Sequence, residues 1–118
     1  RSEFPYNLSV EVPGNTPESD PVVEKREVPA DSRIKEVEFV ATSAAEQRVG
    51  AQFRAASGER FIPRDPKEDA DHVPLDDNPV EATVNVEINE GEEFEARYYN
   101  NSPEDRFVRT IVVVQGLI

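Results

Sequence analysis

The 118-residue chain has room for one domain with a single core, and its 36% of hydrophobic residues suffices for a small fold with solvated outer faces. The formal net charge of −12 argues against nucleic acid as a partner, because phosphates would be repelled by such a surface. There is no cysteine, which excludes disulfides and thiolate metal sites. No apolar run approaches the length of a membrane-spanning helix, so the sequence predicts a soluble chain without a membrane partner.

The acidic balance has a particular composition. The basic residues are ten arginines and only three lysines, Lys25, Lys35 and Lys67. A Lys-poor acidic surface is typical of proteins that are soluble in concentrated salt, where screening removes the self-repulsion. This composition favours a halophilic protein, with an ordinary acidic mesophilic domain as the alternative.

The N-terminal part predicts two strands separated by a proline-rich turn. Apolar and polar residues alternate from Tyr6 to Val12, and the segment 13–17 ends this run. Val22 to Val28 forms a second run between Pro21 and Pro29. Because proline is tolerated at sheet edges and not in central ladders, this second strand is predicted to be an exposed edge.

The next strand is predicted to contain a β-bulge. It runs from Arg33 to Val40, and Ile34 is out of phase with Val37 and Phe39. One extra residue near Lys35 and Glu36 would bring all three apolar side chains to the same face.

The middle of the chain predicts a hairpin followed by a long loop. Thr42 to Gln47 is the only plausible helical turn, and Val49 to Ala55 alternates as a strand. A tight turn at Ser57 and Gly58 leads into a strand over Glu59 to Ile62. The charged, proline-containing segment 63–78 is predicted to be the longest irregular loop.

The last forty residues carry the clearest strand pattern. Glu81 to Ile88 and Glu93 to Tyr99 alternate between apolar and polar residues. Ile111 to Val114 is apolar on both faces, which indicates a central strand or one covered by another subunit.

About eight strands with almost no helix predict an all-β protein. We expect a single antiparallel β-sandwich, jelly-roll-like, over residues 1–118. Residues 1–20 are interpreted as part of this domain, as an extended arm, or as partly a cloning remnant.

The sequence offers little catalytic or metal-binding chemistry. His72 is the only histidine and no nucleophile stands at a suitable spacing, so we do not expect an enzyme. The loop carboxylates Asp69, Asp71, Asp76 and Asp77 form a candidate site for a hard cation such as calcium, which prefers many oxygen ligands. A solvated acidic loop is the alternative, and no other cofactor is expected.

Several short motifs follow one another in a distinctive order. They are Val28 to Phe39, Arg48 to Gln52, Arg60 to Pro63, Pro74 to Asn78, Asn89 to Gly91, Tyr99 to Asn101, and a closing valine-rich strand. In this order they resemble small jelly-roll-like head proteins of tailed viruses, such as turret, spike or decoration proteins. The resemblance covers Val28 to Val114, about three-quarters of the chain.

This resemblance, with the acidic composition, implies a structural virion component of a haloarchaeal virus, located in the virion. The implied partners are copies of the chain itself, as a trimer or pentamer, and other virion proteins such as the major capsid protein. The candidate interface residues are Val22, Val23, Ile111 and Val113. The alternative is that Ile111 to Val114 is a covered core strand and that Val22 and Val23 lie in a loop. The alternative function is a β-sandwich module that binds glycan or protein, on a secreted or cell-surface haloarchaeal protein.

Overall fold

A computed structural model describes residues 3–41, 48–55, 59–62, 73–76 and 78–117, and these residues form strands joined by turns and loops. No helix in these ranges is long and apolar enough to cross a membrane. The predicted helical turn at Thr42 to Gln47 and the hairpin tip at Ser57 and Gly58 lie outside the described residues.

The described ranges contain ten strands. They are β1 (Glu3–Asn7), β2 (Val10–Val12), β3 (Val22–Glu27), β4 (Ser32–Ala41), β5 (Val49–Ala55), β6 (Glu59–Ile62), β7 (Val73–Leu75), β8 (Val80–Ile88), β9 (Glu93–Asn100) and β10 (Arg106–Gly116).

The strands form two antiparallel sheets. Sheet A has the order β1-β10-β4-β8, with β2 also paired to β10, and sheet B has the order β3-β9-β5-β6, with β7 also paired to β5. The chain passes from one sheet to the other at most of its connections, so consecutive strands are rarely neighbours. This arrangement is the two-sheet jelly roll, and it confirms the predicted β-sandwich.

Two elements differ from the sequence prediction. The first predicted strand divides into β1 and β2, because the fully buried Leu8 turns into the core and its N–H donates to the Thr110 carbonyl. The prediction that segment 63–78 is irregular throughout is wrong, since β7 lies within it and pairs with β5. Leu75 of β7 is buried, and Pro74 is tolerated because β7 is a short edge strand.

The predicted β-bulge in β4 is confirmed. In the pairing of β4 with β10, the consecutive residues Val113 and Val114 lie opposite Glu36 and Ile34, so Lys35 is the extra residue of β4. Ile34 and Val37 are consequently both fully buried, although they are three residues apart. Asn85 of β8 lies opposite this irregularity with a φ of 54°, a left-handed conformation that asparagine tolerates.

The core between the sheets contains one hydroxyl that joins them. Tyr98 of sheet B is fully buried, and its hydroxyl lies 3.0 Å from the Leu8 carbonyl oxygen and 2.6 Å from Thr110 Oγ1, both in the layer of sheet A. Burial raises the pKa of the Tyr98 phenol well above its usual value. These hydrogen bonds fix how the two sheets lie on each other.

One end of the sandwich is held by a buried amide. Asn100 Nδ2 donates to the carbonyls of Val12 and Glu104, and its Oδ1 accepts from the N–H and the hydroxyl of Ser102. The donors and acceptor of this side chain are therefore satisfied, as a buried amide requires. The turn that precedes β10 is fixed against the end of β2.

Candidate subunit interface

Strand β10 presents its valines to two different environments. Val112 and Val114 are buried in the core, whereas Ile111 and Val113 are partly exposed on the outer face of sheet A. The doubly apolar run is therefore a central strand whose second face is not fully covered by the described residues.

Two neighbouring strands add apolar side chains to this outer face. Pro5 of β1 pairs with Val113, and Val40 of β4 pairs with Arg109 at an outward-facing position. We call Pro5, Val40, Ile111 and Val113 the apolar row. An apolar row on an otherwise polar sheet face marks a candidate contact surface.

Carboxylates border the apolar row on one side. Glu36 and Glu38 of β4 pair with Val113 and Ile111, and Glu81 of β8 pairs with Glu38. A hydrogen bond with Glu38 and the negative charge of that residue raise the pKa of the Glu81 carboxyl. We call Glu36, Glu38 and Glu81 the acidic rim. Like charges placed opposite each other on neighbouring strands destabilise a sheet.

A shallow depression lies between β4 and β8 on the same face. Its volume is about 220 Å³, and it is lined by Glu36, Glu81, Ala82 and Thr83. None of these side chains is aromatic or basic, so the depression has no group that would bind an anion or stack on a ring.

The structure places the four predicted interface residues on different surfaces. Ile111 and Val113 lie together on the outer face of sheet A. Val22 packs against the core, and Val23, which is 39% exposed, lies on the outer face of sheet B. These residues do not form one continuous patch.

Val23 lies beside a group of basic residues. It pairs with Arg97, and the next outward residue of β3, Lys25, pairs with Glu95. Arg54 of β5 pairs with Glu95 from the other side, and Arg97 Nε lies 2.6 Å from Glu95 Oε2. Glu27 of β3 pairs with Glu93 of β9 next to them on the same face, so the cations and carboxylates here are equal in number. We call Val23, Lys25, Arg54, Glu95 and Arg97 the charged patch.

Most of the candidate cation loop cannot be placed. Asp69, Asp71 and Asp77 lie outside the described residues, as does His72. Asp76 is described, and its Oδ1 accepts the Asn78 N–H at 2.8 Å in a turn. Among the described residues no group of three or more acidic or histidine side chains is arranged to hold a metal ion.

The edges of the sheets are poorly suited to strand addition. Pro5 in β1 and Pro74 in β7 lack a backbone N–H, and the bulge at Asn85 distorts β8. Strand β3 lies between Pro21 and Pro29. These features disfavour addition of a strand at β1, β7 and β8.

No protein-family model matches the chain, and no curated protein matches its sequence. Among solved structures, the chain is similar to a protein in the structure of infectious bursal disease virus Gx strain, with a TM-score of 0.41 and 11% identity over 95% of this chain and 32% of that chain. It is also similar to a family two carbohydrate esterase from Cellvibrio japonicus, with a TM-score of 0.43 and 8% identity over 97% of this chain and 34% of that chain. The chain spans about a third of each of these proteins. Similarities at this level do not bear on function.

Sequence reasoning did not predict the charged patch. Lys25 and Arg97 are 72 positions apart, and only the register of β3 on β9 brings them to one surface. Alternation within each strand already assigned Val23 and Lys25 to one side. The missing information was which strands pair.

Proposed function

We propose that this chain is a structural subunit that assembles with copies of itself through the outer face of sheet A. The observation that carries the proposal is the apolar row on the solvated face of a central strand. Burial of Ile111 and Val113 in a contact would remove apolar surface from water, which is the main driving force of protein association.

The size of the face is adequate for a specific contact. The strands β1, β10, β4 and β8 have 5, 11, 10 and 9 residues, and at about 4.8 Å between strands and about 3.4 Å per residue they give a face of roughly 600 Å². This area is near the roughly 800 Å² that each partner contributes to a typical stable interface. Phe107, which is 45% exposed, extends the apolar surface toward the start of β10.

The biological role that fits such a subunit is a virion surface component, as a turret, spike or decoration protein. The order of short motifs that resembles tailed-virus head proteins supports this role, and the jelly-roll strand order is compatible with it. In that setting the subunits would form a trimer or pentamer and would contact other virion proteins, including the major capsid protein.

Light scattering coupled to size exclusion tests self-assembly. The wild-type chain at high micromolar concentration in molar KCl should have a mass that is a multiple of 13.2 kDa. The variant Ile111→Thr/Val113→Thr keeps β-branched side chains but removes apolar surface, so it should be monomeric. The control Phe4→Thr removes a side chain that is 52% exposed but not part of the apolar row, and it should assemble like the wild type. A monomeric wild-type chain would overturn the proposal.

A second function, recognition of a glycan, is favoured by one observation on sheet B. The Tyr99 ring lies directly against Gly50 of the neighbouring strand, so close that a Cβ atom at Gly50 would be 2.1 Å from Tyr99 Cε1. The ring is thereby held on the outer face of the sheet beside Arg97, whereas Gln52, which pairs with Arg97, is only 2% exposed. An aromatic ring next to a guanidinium group is a suitable surface for a sugar.

Calorimetric titration with a panel of neutral and acidic oligosaccharides tests this second function. Binding that is lost in Tyr99→Ala and retained in Ile111→Thr/Val113→Thr would favour the glycan-binding module. Absence of heat with every oligosaccharide, together with a multimeric wild-type chain, would favour the structural subunit.

A further inference from the structure

We propose that Asn7 is an acceptor of an N-linked glycan, and that the attached sugars lie over the apolar row. The acceptor site goes beyond the proposed function. Its effect on association rests on the proposed function, because the glycan would occupy the face through which copies of the chain assemble.

The chain contains the acceptor motif of N-linked glycosylation, Asn-x-Ser with x other than proline, at two places. They are Asn7-Leu8-Ser9 and Asn100-Asn101-Ser102. The structure separates them. Asn100 is fully buried, and its Nδ2 donates to the carbonyls of Val12 and Glu104. Both hydrogens of this amide are used inside the domain, so a sugar at Asn100 is incompatible with the fold.

Asn7 has the opposite surroundings. It is exposed at the end of β1, and its Oδ1 accepts the Ser9 N–H at 2.7 Å. Among the described residues its Nδ2 has no hydrogen-bond partner. An exposed amide nitrogen accepts a bulky polar substituent without loss of a buried contact, which is the setting that N-linked glycans require.

The modification is a group transfer from a lipid-linked oligosaccharide, in which the anomeric carbon of the first sugar is joined to a polyprenyl diphosphate. The Asn7 amide nitrogen forms a bond to that carbon, and the bond from the carbon to the diphosphate oxygen breaks. The amide nitrogen loses one proton, and the lipid diphosphate leaves with the bonding electrons. No group is oxidised or reduced. The site is used in an exported chain, because export brings the chain to this donor.

The register of β1 on β10 places the acceptor beside the apolar row. Asn7 pairs with Ile111, so their side chains lie on the same face of sheet A. Residues directly opposite each other have Cβ atoms about 5 Å apart, and diagonal neighbours such as Val113 lie about 7–8 Å away. An oligosaccharide on Asn7 is long enough to reach both. It would shield these side chains from water and exclude another copy from the same face.

Export of the full chain through the secretory pathway of eukaryotic cells, behind a cleavable signal peptide, tests the acceptor site. Intact mass spectrometry of the secreted chain should give a mass above 13.2 kDa. The increase should be lost in Asn7→Gln and in Ser9→Ala, and it should be retained in Ser9→Thr, because threonine supplies the same hydroxyl group. Melting curves check that each variant is folded, since Ser9 Oγ also accepts the Thr110 N–H.

A secreted wild-type chain of unmodified mass would overturn the acceptor site. Enzymatic release of the glycan converts the modified asparagine to aspartate, and peptide mapping that finds this conversion at Asn100 instead of Asn7 would overturn it as well.

Light scattering in molar KCl measures the effect on assembly separately. The glycosylated wild-type chain should be monomeric, and Asn7→Gln exported in the same way should be multimeric. If both are multimeric, the glycan does not cover the apolar row. A monomeric Asn7→Gln chain would refute self-assembly through sheet A and leave the acceptor site in place.

Discussion

Val112 and Val113 are adjacent on β10, and the same substitution should lower stability at Val112 and reduce assembly at Val113. Val112 is fully buried in the core, whereas Val113 is partly exposed on the outer face of sheet A. Val→Ala makes the same change in side-chain volume and in intrinsic strand preference at both positions, so each variant is a control for the other. The two substitutions differ mainly in burial.

The magnitude for Val112→Ala follows from the loss of two buried methyl groups. At about 0.8 kcal/mol for each, the transfer term is about 1.6 kcal/mol, and the cavity left in the core raises the total to about 2–3 kcal/mol. For a chain of this length that corresponds to a decrease of roughly 10 °C in melting temperature. Val113→Ala should cost less than about 1 kcal/mol in the isolated subunit, because its side chain is only partly removed from water.

Denaturant unfolding and light scattering measure the two effects separately. Unfolding at low protein concentration gives the free energy of the isolated subunit, and light scattering at high concentration gives the assembly state. We expect Val112→Ala to lower stability and Val113→Ala to reduce assembly with little loss of stability. Equal costs of the two substitutions in the isolated subunit would refute the placement of Val113 outside the core.

Further predictions concern the sheet-to-sheet hydrogen bonds, the acidic rim and salt. Tyr98→Phe should lower the unfolding free energy by about 1–2 kcal/mol, and the double variant with Thr110→Val should cost less than the sum of the single variants, because both remove the same hydrogen bond; additive costs in denaturant unfolding would contradict this. Since the folded state raises the pKa of Glu81, the stabilising contribution of its protonated form is complete at acidic pH and is lost as the pH rises through the raised value. The melting temperature of Glu81→Gln should therefore exceed that of the wild type by an increasing amount as the pH rises toward neutral, and the difference should be smaller in molar KCl. A difference that does not depend on pH would show that Glu38 does not act on Glu81. The melting temperature of the wild type should climb steadily from dilute buffer to molar KCl, because salt screens the net charge of −12, and a flat response would exclude a halophilic adaptation of the surface.

Two buried polar side chains, Asn100 and Tyr98, use their hydrogen-bonding groups to hold the fold together. Asn100 uses its amide to hold two carbonyls and Ser102 at the end of the sandwich. The Tyr98 hydroxyl is occupied by Leu8 and Thr110. The buried polar groups of Asn100 and Tyr98 are therefore satisfied within the domain.

The sequence by itself determined most of the strands and the sides of those strands that meet the core. Alternation in β8 and β9 assigns Val84, Ile88, Phe94 and Ala96 to the interior, and all four are buried. The phase error at Ile34 predicted the bulge, because a one-residue shift reverses the facing of every later side chain. These features follow from the alternation of apolar and polar residues along each strand, which is visible in one sequence.

Only the tertiary structure decided how strands far apart in sequence come to share a surface. Periodicity showed that Ile111 to Val114 has two apolar faces, but not that β1 and β4 leave the outer face of β10 uncovered. The neighbours of that face, Pro5 and Glu36, come from distant parts of the chain, and so do Val23 and Arg97 of the charged patch. Such juxtapositions depend on strand order and register, which are set by the packing of the whole sandwich and are not encoded in any single strand.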